Sequence, residues 1–184
     1  MRVISGSARS LKLKTLDTLE TRPTQDRTKE TLFNVLNPFL ADCRFLDLFA
    51  GSGGIGIEAL SRGAQSCIFV EQNPKAIECI EYNAAFTKLD QKARILRGDV
   101  LSVLHQLDNG LPFDCIFMDP PYNKELEKQV LTTLSKSSMI NDDTLIVVEA
   151  SLETDFSYLS DLGLKDYKRK QYKTNQHVFI QREI

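Results

Sequence analysis

Four carboxylates in this sequence stand at or just inside the ends of short apolar runs: Asp47 within Phe45 to Phe49, Glu71 after Cys67 to Val70, Asp99 after Ala93 to Leu96, and Asp119 after Cys115 to Met118. Carboxylates only accept hydrogen bonds, so a group of them suits a ligand that brings positive charge, hydroxyls and amino groups. The last one heads Asp119-Pro120-Pro121-Tyr122. Two prolines make a stiff, extended corner without N–H donors, which leaves its carbonyls unpaired. If the Asp119 carboxylate and the Pro120 carbonyl each accept one N–H of a planar exocyclic amine, the nitrogen is drawn toward tetrahedral geometry and its lone pair is aimed for group transfer. Tyr122 offers a face on which a nucleobase could stack, worth about 1 to 3 kcal/mol. The plainer alternative is a proline-rich turn that closes a strand.

These residues need an element to gather them. In an open α/β sheet, ligands bind outside the carboxyl ends of the strands, where all four acids would meet. The stretch Phe45 to Gly56 reads as strand, tight turn and helix, with Phe49-Ala50-Gly51-Ser52-Gly53 as the turn. Gly51, Gly53 and Gly56 also fit G-x-G-x-x-G with Glu71 about twenty residues on, so dinucleotide binding is a rival. Asp47 to Gly53, however, resembles the first motif of S-adenosylmethionine-dependent methyltransferases. A carboxylate before the glycines suits an ammonium and a sulfonium and would repel a pyrophosphate. By reach, the turn offers N–H groups to a carboxylate, Glu71 accepts from ribose hydroxyls, and Asp99 accepts from an adenine amine. Gln72 and Val100, each next in the chain, complete the candidate cofactor set.

In chain order, residues 2 to 5 and 11 to 14 alternate around Gly6 and Ser7, which predicts a small β-hairpin. It forms a basic appendage over residues 1–20, with residues 21–184 as the main domain. A loop dense in hydrogen-bonding groups follows, Thr21 to Arg27, and then a helix marked by Leu32, Phe33, Leu36, Phe39 and Leu40 that Pro38 ends or kinks. Arg22, Thr24, Asp26 and Arg27 read equally well as a capped helix start or as a ligand-facing loop. After the glycine turn come alternating strands and helices, with Asn73-Pro74 opening one helix as cap and first residue. The runs Leu164 to Tyr172 and His177 to Ile180 read as a closing hairpin. The predicted fold is α/β: a mostly parallel sheet with an antiparallel C-terminal hairpin.

The chain has 184 residues, 42% hydrophobic and 26% charged, typical of one globular domain. No apolar run is long enough for a membrane span and the start lacks a secretory signal, so a cytoplasmic protein is expected. Cys43, Cys67, Cys79 and Cys115 form no C-x-x-C pair, and His105 and His177 lack ligand-spaced neighbours, so no metal is expected. The net charge of -2 is unevenly spread. Arg2, Arg9, Lys12 and Lys14 stand without an acid at the start, and Lys165, Lys168, Arg169, Lys170 and Lys173 face only Asp166 near the end. Such stretches could touch a polyanion, and they could equally be solvated edges.

Taken together, Arg22-Pro23-Thr24 with Asp26-Arg27, Glu30-Thr31-Leu32-Phe33-Asn34, Asp47 to Gly53, Glu58-Ala59-Leu60-Ser61-Arg62-Gly63-Ala64 and Asp119 to Tyr122 resemble the RsmD family of bacterial methyltransferases. The resemblance implies a Rossmann-like class I fold and methyl transfer from S-adenosylmethionine to the N2 amine of a guanine in 16S ribosomal RNA. It implies Asp119, Pro120, Pro121 and Tyr122 at the target base, and Gly51 to Gly53, Glu71 and Asp99 on the cofactor. It also implies the Arg22 to Arg27 loop closing over the site, and a partly assembled small ribosomal subunit as partner. On the residues themselves, Arg9 and Lys12 of the hairpin are candidate phosphate contacts. The rivals are a DNA adenine-N6 methyltransferase, a nicotinamide-dependent oxidoreductase and a non-catalytic RNA-binding assembly factor.

Overall fold

A computed structural model of the chain describes residues 1–16, 23–122 and 124–183. Five strands run parallel: β1 (Arg44–Leu48), β2 (Ser66–Glu71), β3 (Ala93–Arg97), β4 (Cys115–Met118) and β5 (Leu145–Ser151). The closing pair, β6 (Leu164–Gln171) and β7 (Asn175–Arg182), is antiparallel, and β7 lies between β5 and β6. The order β3-β2-β1-β4-β5-β7-β6 turns back at β1. Chain leaves β1 in one direction toward β2 and β3, then crosses to β4 on the other side, which opens a crevice at the carboxyl ends of β1 and β4.

Strands buried on both faces need apolar residues at nearly every position, which is why β1 and β4 read as continuous runs. One face packs Phe45, Phe69, Phe117 and Phe179 against α1 (Pro23–Leu36) and α2 (Gly54–Ser61). The other packs Leu46, Val70, Met118 and Val148 against α4 (Val100–Leu107) and α5 (Leu126–Ser135). Between β2 and β3 lies α3 (Pro74–Phe86), opened by the Asn73 side chain accepting from the Lys75 N–H at 3.0 Å.

The segment expected as a loop from Thr21 to Arg27 is helical from Pro23 onward. Proline at the first helical position loses nothing by lacking an N–H, and Asp26 in the first turn complements the positive end of the helix. The helix therefore begins ahead of Thr24 and Asp26, the two residues whose side chains suit a cap. At its other end the α-helical bonding stops at Leu36, and Asn37–Phe39, with Pro38, continue as a short 3-10 turn.

Residues 1–13 form two antiparallel arms, joined by the Val3 N–H to Leu11 O (2.9 Å), the Leu13 N–H to Met1 O (3.0 Å) and a single bridge, Arg2 to Lys12. The arms lie on α2, and Val3, Ala8 and Leu13 are buried in the same core as Phe45 and Phe69. Glu58 holds them: its carboxylate accepts from the Ile4 and Ser5 N–H groups at 2.8 and 3.0 Å and pairs with Lys29 and Arg62. Gly6, at φ +87, sits so close that a Cβ would lie 1.8 Å from the Ser61 carbonyl oxygen.

All four cysteines are free and buried. Burial pushes the Cys43 thiol up to about 12 and those of Cys67 and Cys115 well above their usual range. Among the described residues, no helix is long and apolar enough to cross a membrane.

Candidate functional site

The site is built on register. Met118 of β4 pairs with Val148 of β5, so the next residues, Asp119 and Glu149, emerge side by side on the face that carries Phe117 and Val147. Glu149 in turn pairs with His177 of β7. Asp119, Glu149 and His177 thus form a row across three strands. Asp119 follows the apolar run of β4 as the chain leaves the sheet, whereas Glu149 follows the apolar run of β5 while still inside that strand and paired with β7.

Two cavities meet at this row. The first, of about 530 Å³, is lined by Phe49, Val70, Glu71, Gln72, Asp99 and Val100 together with Asp119 to Tyr122. The second, of about 670 Å³, is lined among others by Lys29, Leu32, Ile55, Phe117, Glu149 and His177. Asp119 and Tyr122 border both. Although the Asp119 side chain is open to these spaces, the protein massed around it, and then the charge of Glu149, push its carboxyl up to about 8. Burial and the same two acids push the Tyr122 phenol up to about 12, so it remains neutral near pH 7.

Glu149 is held from two sides. Its Oε1 accepts from Asn175 Nδ2 at 2.6 Å, and its Oε2 lies 3.2 Å from His177 Nε2. The imidazole is 1% exposed, meets the Tyr172 hydroxyl through Nδ1 at 3.2 Å and turns an edge to Phe117. Glu149, His177 and Asn175 were not among the residues singled out from the sequence. Glu149 carried a usable signal, since it follows Leu145 to Val148 as Asp119 follows its own strand. His177 carried none, because its partners are distant in the chain.

The structure distributes the sequence-derived cofactor residues between the cavity and its supports. Phe49, Glu71, Gln72, Asp99 and Val100 line the first cavity. Phe49 is held at φ 57, an unfavourable backbone for a bulky residue, which the fold enforces where the strand turns away. Asp47 instead lies beneath the turn, 1% exposed, accepting from the Gly56 N–H at 2.9 Å, and burial raises its carboxyl well above the usual range. Ala50, Gly51, Ser52 and Gly53 shape the turn behind Phe49. The Ala50, Gly51 and Gly53 N–H groups bond within the protein, to Val70 O, Glu71 Oε2 and Ala50 O. Glu71 accepts from Gly51, Gln72 and Asn73, three of about four acceptor positions, which leaves one for a ligand hydroxyl. Asp99 caps α4 through Oδ2, which accepts from the Ser102 N–H at 3.0 Å.

Asp26 and Arg27 do not face these cavities. They line a separate groove with Arg2 and Arg9, and Asp26 Oδ2 pairs with Arg2 Nε at 3.1 Å. Lys12 is exposed on the N-terminal arm. Thr24 falls in the first turn of α1, its side chain outside the described residues, and Arg22 lies outside them altogether. Among the described residues, no three His, Cys, Asp or Glu side chains cluster as metal ligands would.

The first cavity has apolar walls for a flat ring, and Glu71 and Asp99 as acceptors at its edge. That pair of acceptors fits an adenosine attached to a cationic centre and opposes a pyrophosphate. Its neighbour across Asp119, at about 670 Å³, has volume for a nucleobase.

The chain is similar to several known proteins. The family described as Conserved hypothetical protein 95 matches residues 1–181. The chain is 43% identical over 158 residues to YlbH of Bacillus subtilis, covering 84% of this chain and 85% of that one. It is 37% identical over 153 residues to ribosomal RNA small subunit methyltransferase D of Escherichia coli, covering 83% and 76%. The solved structure of yhhF from Escherichia coli superposes with a TM-score of 0.85 at 32% identity, covering 100% of this chain and 98% of that one.

Proposed function

Since the chain belongs to the Conserved hypothetical protein 95 family, the RsmD family, we propose that it transfers a methyl group from S-adenosylmethionine to the N2 amine of a guanine in small-subunit ribosomal RNA. The observation that carries this reading is the pair of cavities sharing Asp119 and Tyr122 as a common wall. A group-transfer enzyme needs two reactants in contact at one point, and holding them there supplies much of the rate enhancement.

When bound, S-adenosylmethionine supplies a methyl group activated by a positively charged sulfur. Phe49, Val100, Glu71, Gln72 and Asp99 would hold it in the first cavity, with Glu71 and Asp99 accepting from its hydroxyl and amino groups. On the other side, Tyr122 stacks on the base, while the Asp119 carboxylate and the Pro120 carbonyl each accept one amine N–H. These bonds localise the nitrogen lone pair and orient it. Methyl transfer leaves the nitrogen with a surplus proton, and Asp119, raised to about 8, is a base of suitable strength to take it. Nothing in this scheme needs a metal.

Guanine N2 is engaged in Watson–Crick pairing, so the target base must be unpaired or flipped to enter. The groove of Arg2, Arg9 and Arg27 and the Lys12 side chain are the proposed phosphate contacts, with Arg22 and Thr24 beside them in the chain. A partly assembled small subunit in the cytoplasm is the proposed substrate, as the family resemblance implies. Incubation with methyl-labelled S-adenosylmethionine and, separately, ribosomal particles, naked rRNA, DNA and protein tests the reading. Digestion should release label as N2-methylguanosine from the particles; label confined to DNA or protein would overturn it.

A further inference from the structure

We propose that Glu149 reads the target base: beside Asp119 on the cavity wall, its carboxylate accepts the ring N1–H of guanine while Asp119 takes the adjacent amine. This rests on the assignment of a guanine amine as methyl acceptor. It adds the residue that chooses guanine.

The argument starts from two acceptors fixed side by side. Asp119 and Glu149 follow paired residues on neighbouring strands and both line the second cavity. Such a pair matches an edge that presents two neighbouring donors. Guanine has one, with N1–H next to the N2 amine. Adenine and cytosine place a bare ring nitrogen beside their amines, so a carboxylate there would meet a lone pair. Uracil offers one ring N–H between two carbonyls. The pair therefore selects by repulsion as well as by attraction.

Selection of this kind requires a carboxylate that cannot swing away. Asn175 Nδ2 and His177 Nε2 fix the two Glu149 oxygens, and the Tyr172 hydroxyl backs the imidazole. With 21% of its side chain exposed, Glu149 has little water to turn to when a base fails to donate. A purely structural Glu149, tying β7 to β5, would account for the contacts with Asn175 and His177. It would not account for the position next to Asp119 on the cavity wall.

The test uses RNA substrates carrying guanine or 2-aminopurine at the methylated position. 2-Aminopurine keeps the amine and presents a bare ring nitrogen in place of N1–H. The wild-type protein should favour guanine by about tenfold or more in kcat/KM. Glu149→Gln should lose about 10- to 100-fold on guanine and bring the two substrates to near parity, with S-adenosylmethionine affinity by calorimetry unchanged. Glu149→Asp, which keeps the acceptor but draws it back, should lose rate while still preferring guanine; this variant serves alone where the amide variant does not fold. An equal loss on both substrates in Glu149→Gln, or abolished preference in Glu149→Asp, would overturn the assignment. A wild-type protein that modifies guanine without discriminating would overturn it too, leaving the proposed reaction standing. A wild-type protein inert on guanine would sink the reaction itself and this assignment with it.

Discussion

Asp119 holds its proton until about pH 8, and a protonated carboxyl is a poor acceptor for an amine and no base at all. Methylation measured as kcat/KM should therefore climb with pH and level off above about 8, and Glu149→Gln should move that rise to lower pH by removing the neighbouring charge. Asp119→Ala should lower turnover about 100-fold with S-adenosylmethionine affinity nearly intact, since one transition-state partner is lost; loss of cofactor binding instead would show that the role is misassigned. The same raised value has a sign for stability. Between the ordinary 3.8 and about 8 the folded protein binds a proton that the unfolded chain has released, so this group's contribution to stability falls as pH rises through that window. Asp119→Asn should accordingly gain thermal midpoint over the wild type at pH 8.5 and little at pH 4. Residue types and strand-end positions made Asp119 and Tyr122 legible in the sequence. The left-handed backbone of Phe49 and the burial of Asp47 were not, because each depends on how the turn settles against β2.

At the scale of elements, the N-terminal arms show what alternation can and cannot say. A period of two suggested paired strands, yet only one bridge forms, and the segment is held chiefly by α2. The motif Glu58-Ala59-Leu60-Ser61-Arg62 gains a physical explanation here: Glu58 and Ser61 bind the backbone of the arms, while Arg62 and the buried Lys29 balance the Glu58 charge. Burial lowers the Lys29 pKa and Glu58 partly restores it. Glu58→Ala should cost about 3 to 5 kcal/mol in denaturant unfolding, because it strips the buried Lys29 ammonium of its ion-pair partner and leaves two N–H groups without an acceptor. Gly6→Ala should cost about 1 to 3 kcal/mol for a strained backbone, and more if Ser61 cannot yield. The parallel strands were readable as apolar runs and their common direction from the strand–helix alternation; their order was not, because alternation alone fits several orders. The start of α1 was misread because its first residues are polar enough to resemble a loop, while proline and Asp26 were favouring a helix.

Across the whole molecule, charge separates by region. The exposed Lys165, Lys168 and Arg169 lie on β6, the edge strand, and Lys173 just beyond it borders the second cavity. Lysines on an edge also discourage strand pairing between molecules, so their placement alone does not demand RNA. If they meet phosphates, affinity for ribosomal RNA should fall steeply between 50 and 200 mM salt, and Lys168→Ala should lower the slope of the log–log plot by about one. A flat response in a filter-binding titration would remove this strand from the interface. The interior has a further use. Cys67 and Cys115 flank Phe45 from the two neighbouring strands, and Cys43 and Cys79 are equally covered, so an alkylating reagent finds no cysteine on the native surface. The molecule thereby carries its own tamper seal: the pace at which mass spectrometry sees Cys67 and Cys115 take up reagent would clock how often the central strands part.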